Sequence, residues 1–171
     1  MIYLRSFAAS PHEGHSIARW APSWFGGDRY ALRFLGARGV DGQPLRHLEP
    51  EEFRTKYYEY LAMIKKHVVG WLRQLEPDID LTLCCWCTPE RQKGYPTLYC
   101  HRILLGHIIE EYRSDVPVKY MDGAENPVWT DSKAPGALKL AGFSLPADYD
   151  YRSDWSIHYT FGGLEDNYAQ R

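Results

Sequence analysis

Leu81-Thr82-Leu83-Cys84-Cys85-Trp86-Cys87-Thr88-Pro89 and, after a polar, turn-rich loop, Pro96-Thr97-Leu98-Tyr99-Cys100-His101-Arg102-Ile103-Leu104-Leu105 decide how this chain is read. From Leu81 to Cys87 the residues alternate, and both alternating sets are largely apolar, as in a strand covered on both faces. Thr88-Pro89 ends the strand, because proline donates nothing to a ladder. Thr97 is the candidate N-cap of a following helix, along which Leu98, Leu105, Ile108, Ile109 and Tyr112 recur at helical spacing. Val116 to Tyr120 then reads as another strand. Strand, helix and strand in that order form a βαβ unit, and ligands of open α/β sheets bind at the carboxyl ends of the strands.

Working outward, Ile2 to Phe7 is predicted as the first strand and Glu49 to Leu75 as one long helix. Pro50, Glu51 and Glu52 suit its start, and Phe53, Tyr57, Tyr60, Leu61, Ile64, Val68, Trp71, Leu72 and Leu75 form its apolar stripe. That stripe reads as core. Beyond Tyr120 the periodicity weakens, with a short helix expected over Ala137 to Gly142 and a late strand over Trp155 to Phe161. The sequence therefore predicts a single α/β domain over residues 1–161 and a polar C-terminal tail over 162–171. The expected architecture is a mostly parallel sheet flanked by helices, Rossmann-like and three-layered, with an irregular, aromatic-rich C-terminal segment.

Length and composition narrow the function classes. A chain of 171 residues that is 44% hydrophobic fits one domain with a real core. Twenty Lys and Arg stand against 22 Asp and Glu, which disfavours a general electrostatic grip on nucleic acid. The amino terminus lacks a signal-peptide layout and no segment has the apolar length of a membrane span, so a cytoplasmic protein with reduced thiols is expected and no membrane partner. Gly36, Gly39 and Gly42 lack the flanking strand and helix that a phosphate loop needs, and no cofactor is implied.

All four cysteines lie between Cys84 and Cys100, so the chemistry is sought there. A helix start offers backbone N–H groups and the positive end of a dipole, and Arg102 adds a fork for a carboxylate or phosphate. Cys100 beside His101 and Arg102 is a candidate nucleophile, with His101 its candidate partner. Cys85 and Cys87 share one strand face, and with Cys100 and His101 they form a possible zinc set. No paired Cys-x-x-Cys knuckle is present, so the sequence predicts no tightly held zinc. Upstream, Ser16 to Gly27 mixes serines, Arg19, Trp20 and Trp24, a composition suited to lining a cleft or to covering the sheet.

Two stretches carry a family resemblance. Leu83-Cys84-Cys85-Trp86, a polar loop and Cys100-His101-Arg102-Ile103-Leu104 resemble the "LLCxE…CHRxxLA" signature of the DUF488 family. Arg5-Ser6-Phe7, followed by Ser16-Ile17-Ala18-Arg19-Trp20-Ala21-Pro22-Ser23-Trp24, resembles the opening of its phage and bacterial branch. The likeness spans about residues 2–25 and 53–113. It implies an α/β fold and a site at Arg5, Ser6, Ser16, Arg19, Cys100, His101 and Arg102, and it implies no activity, since the family is named for unknown function.

The expected ligand is an anionic small molecule, a nucleotide or a nucleic-acid end. It would lie between the amino-terminal loop and the Cys-His-Arg helix, with Arg5, Ser6, Ser16, Arg19, Trp20, Trp24, Cys87 and Arg102 binding it and Cys100 and His101 as candidate catalytic groups. The alternatives are an accessory protein that engages a protein or nucleic-acid partner through the same surface, and a cysteine-dependent enzyme.

Overall fold

A computed structural model describes residues 1–9, 12–45, 48–86 and 100–121. Cys87, Thr97, Ala137 to Gly142, Trp155 to Phe161 and the 162–171 tail, on which expectations were placed, lie outside the described residues.

The described residues form the expected α/β fold. Strand β1 (Ile2–Ser6), β2 (His15–Ser16), β3 (Leu81–Cys85) and β4 (Val118–Tyr120) make a parallel sheet in the order β2-β3-β1-β4. Ile2 pairs with Leu81 and Val118, and Ser6 pairs with Cys85, so β1 and β3 end together. The two-residue β2 was not expected. It forms because the backbone after Gly14 runs beside β3, with the Ile17 N–H donating to the Cys84 carbonyl at 2.9 Å. Gly14 permits this approach: its φ is +97°, and a Cβ there would stand 2.8 Å from the Thr82 carbonyl oxygen.

Helices α1 (Pro50–Met63) and α2 (Lys65–Arg73) replace the single helix expected over Glu49 to Leu75. The break is at Ile64 (φ −97°, ψ 22°), where the His67 N–H reaches the Ile64 carbonyl in a tighter i to i+3 bond. No glycine or proline marks this turn, and the apolar stripe runs through it unbroken, so the pattern alone gave no signal. The stripe is nonetheless core: Phe53, Tyr57, Tyr60, Leu61, Val68, Trp71, Leu72 and Leu75 are all buried.

Helix α3 (His101–Tyr112) is buried on every side from His101 to Ile109. Gly106 lets it lie directly on the sheet, since a Cβ there would meet Leu4 Cδ1 at 2.5 Å and Tyr120 Cε1 at 2.6 Å. One core joins all three helices to Ile2, Leu4, Leu83 and Cys85 on one sheet face. On the other face Cys84 of β3 joins a smaller cluster with Phe7, Ala18 and Phe25, which lie outside the strands. Alternation along each strand separates Cys84 from Cys85 in this way.

Tyr57 ties α1 to the irregular segment before it. Its hydroxyl donates to the Leu35 carbonyl at 2.8 Å, and both residues are buried. Tyr57→Phe keeps the packing but removes that donor from a buried carbonyl, so urea unfolding should show a loss of about 1–3 kcal/mol.

Candidate functional site

The carboxyl ends of β1, β2 and β3 carry most of the residues singled out in the sequence, and the sheet divides them into two groups.

The first group is buried on the helix face. Cys85 is the last residue of β3, Cys100 immediately precedes α3 and His101 opens it. Cys100 has extended backbone angles (φ −126°, ψ 116°) and stands as the N-cap residue, one position ahead of the first helical turn in which it was expected. The Cys85 and Cys100 sulfurs lie 3.7 Å apart. With one ring nitrogen of His101 they form a set whose atoms are all within 4.8 Å of one another.

His101 Nε2 lies 3.0 Å from the Ile17 carbonyl oxygen. A carbonyl only accepts, so Nε2 carries the proton and Nδ1 keeps the lone pair. Burial lowers the His101 pKa, and the Arg102 charge acts in the same direction, against opposing pulls from Cys100 and the Ile17 carbonyl. The ring is thus held neutral. Tyr57 packs edge-on against it with ring centroids 5.7 Å apart. Burial, followed by the neighbouring Tyr60 and Tyr58 and the Cys100 and Cys85 thiols, holds the Tyr57 hydroxyl in its protonated form. Tyr57 was read in the sequence only as part of the core stripe; nothing in its spacing points to His101.

Arg102 is also inside. It is 1% exposed and is the bulkiest of the fully buried side chains among the described residues. Cys100 has no exposed surface, so a substrate reaches its thiol only if the chain around it opens. Ser6 is buried, and its hydroxyl accepts the Ala9 N–H at 3.3 Å. Ser16 accepts the Ala18 N–H at 3.2 Å, which shapes the turn that presents the Ile17 carbonyl to His101.

The second group is aromatic, with exposed indoles beside the buried Phe7. Phe7 follows β1 and Trp86 follows β3, and Trp24 packs edge-on to both at 6.4 Å. Trp86 Nε1 donates to the Trp20 carbonyl at 2.6 Å, which joins the two loops. The Arg33 guanidinium lies 4.1 Å from the centre of the Trp20 ring. Trp20, Trp24 and Trp86 remain 63%, 53% and 47% exposed. Arg5 lies over the Tyr3 ring on the same side of β1 as Phe7 and is 3.9 Å from Glu13. Arg19 turns away, donating to the Gly42 carbonyl at 3.0 Å. Trp86 and Arg33 belong to this surface and were not among the residues expected to bind. In the sequence Trp86 falls within the alternation of the strand pattern, and Arg33 carries no motif.

A separate groove of about 240 Å³ lies near the amino ends of β1 and β3, lined by Ile2, His15, Leu32, Trp71, Ile79 and Leu81, away from both groups. Among the described residues no helix is long and apolar enough to cross a membrane. No protein-family model, curated protein or solved structure matches this chain.

Proposed function

We propose that the protein binds an anionic ligand bearing an aromatic ring, a nucleotide either alone or at the end of a nucleic acid, at the carboxyl edge of its sheet. The observation that carries this reading is the pair of half-exposed indoles of Trp24 and Trp86 packed edge-on to Phe7, joined through a backbone hydrogen bond to the exposed Trp20, which Arg33 covers, with Arg5 on the same sheet face. Indoles locked by edge-on packing and a backbone hydrogen bond lose little freedom when a base stacks on them, and such stacking is worth roughly 1–3 kcal/mol per base. Arginine supplies the phosphate's counter-charge. The position suits the fold, since ligands of open parallel sheets collect outside the carboxyl ends. The DUF488-like motifs sit at this same edge, and they support the location without indicating a reaction.

The exposure of the indoles also favours a second reading, an accessory protein that offers this surface to a macromolecular partner. Tryptophan fluorescence separates the two. Titration with nucleoside mono- and triphosphates should quench emission saturably, and Trp24→Ala should weaken binding by roughly 5–100-fold while the chain stays folded. Quenching by linear and circular single-stranded oligonucleotides alike, but not by nucleotides, would select the second reading, whereas a response to linear strands alone keeps the first. No response to nucleotides or to either kind of strand would end the nucleotide reading.

A further inference from the structure

We propose that Cys85, Cys100 and His101 form a transition-metal site, suited to zinc, between the end of β3 and the start of α3. This site is independent of the nucleotide reading, and its failure would leave that reading untouched.

Spacing in sequence argued against zinc because the ligands do not form a knuckle. The fold removes that objection by bringing together three donors from Cys85 and, 15 and 16 positions later, Cys100 and His101. Two thiolates, each about 2.3 Å from a tetrahedral zinc, stand about 3.8 Å apart. The Cys85 and Cys100 sulfurs are 3.7 Å apart, so they already span the edge of such a tetrahedron. In a formed centre the imidazole nitrogen would be about 3.6 Å from each sulfur. One ring nitrogen of His101 lies within 4.8 Å of both sulfurs, up to about an ångström beyond that spacing.

The histidine is prepared for this role. Metal-binding imidazoles almost always donate their other N–H to a carboxylate, a water or a backbone carbonyl, which fixes the tautomer and the ring orientation. His101 donates Nε2–H to the Ile17 carbonyl at 3.0 Å, leaving the Nδ1 lone pair for an ion. Tyr57 packed against the ring holds it further.

Charge balance suits the buried position. On binding, both thiols release their protons to solvent, and a dication with two thiolates and a neutral imidazole carries no net charge. Soft sulfur with imidazole selects zinc over magnesium or calcium. The fourth tetrahedral position falls to a donor outside these three residues. Cys84 takes no part, because alternation puts it on the other sheet face with Phe7 and Phe25.

Cobalt(II) and zinc titrations of the reduced, metal-stripped chain test the site. One cobalt per chain should bind, with thiolate charge-transfer absorption in the near ultraviolet and the visible bands of tetrahedral coordination. Zinc should displace it. X-ray absorption on the zinc form should show two sulfurs and at least one nitrogen in the first shell. Cys85→Ser and Cys100→Ser should each weaken binding by more than the roughly 10–100-fold that loss of an outer-shell partner costs. Cys84→Ser should leave both spectrum and stoichiometry unchanged. The wild-type spectrum decides the matter even if a variant fails to fold. No uptake by the reduced folded chain, a first shell without sulfur, or uptake that survives both Cys85→Ser and Cys100→Ser would overturn the proposal.

Discussion

Arg102→Ala should cost about 3–5 kcal/mol of folding stability, the scale for leaving the complement of a buried charge behind. For a chain of this size that corresponds to a melting temperature lower by roughly 6–20 °C. The motive is burial. Arg102 was expected to face an anion, yet the residue is 1% exposed and lies in the His101–Ile109 stretch of α3 that is buried on every side. A planar, permanently charged group held in a core requires complementary oxygens, and removing it strands them. Arg102→Lys should restore only part of the loss, because an ammonium cannot copy the fork. Thermal melts combined with nucleotide titrations separate structure from binding. A large drop in melting temperature with unchanged affinity in the folded fraction makes Arg102 a brace for α3. Unchanged stability with affinity lowered by about one to two decades would instead make it a ligand-binding residue.

The second large effect is expected where α3 meets the sheet. Leu4 is wholly buried in the centre of β1, and Leu4→Ala should cost about 2–5 kcal/mol through lost burial and the cavity left behind. Gly106→Ala acts in the opposite sense on the same space. Alanine favours a helix interior by about 1 kcal/mol over glycine. Its Cβ would nevertheless stand 2.5 Å from Leu4 Cδ1 and 2.8 Å from the Tyr120 hydroxyl, which itself donates to Glu110 at 2.8 Å. Overpacking of this kind costs about 1–3 kcal/mol, so the net single effect is a loss of up to about 2 kcal/mol. In the double variant the new methyl enters the space that Leu4 vacates. The double loss should therefore fall short of the sum of the single losses by about 0.5–3 kcal/mol, measured by urea unfolding of all four proteins. Strict additivity would show that α3 does not approach β1 at Gly106 as described.

The extent to which the sequence anticipated these features depends on their range along the chain. The strand at Leu81, the helix after His101 and the strand reaching Tyr120 were legible because alternation, helical spacing and proline stops are local signals, and their order implies a parallel crossover. The core face of the 50–75 region was legible for the same reason. The turn at Ile64 was not, since it lacks a breaking residue, and neither was β2, which exists only because Gly14 lets two residues run beside β3.

At the candidate site, alternation and the βαβ order were enough to expect thiols, an imidazole, a guanidinium and indoles at the ends of β1 and β3. How they are sorted follows from the packing of the folded chain. A strand's side chains alternate between faces, so neighbours such as Cys84 and Cys85 part company, while Cys85 and Cys100, 15 positions apart, come to 3.7 Å. The Ile17 carbonyl that orients His101 lies 84 positions away in sequence. Contacts at such separations depend on how the sheet closes and how near α3 lies to it, and no periodicity within either segment encodes them.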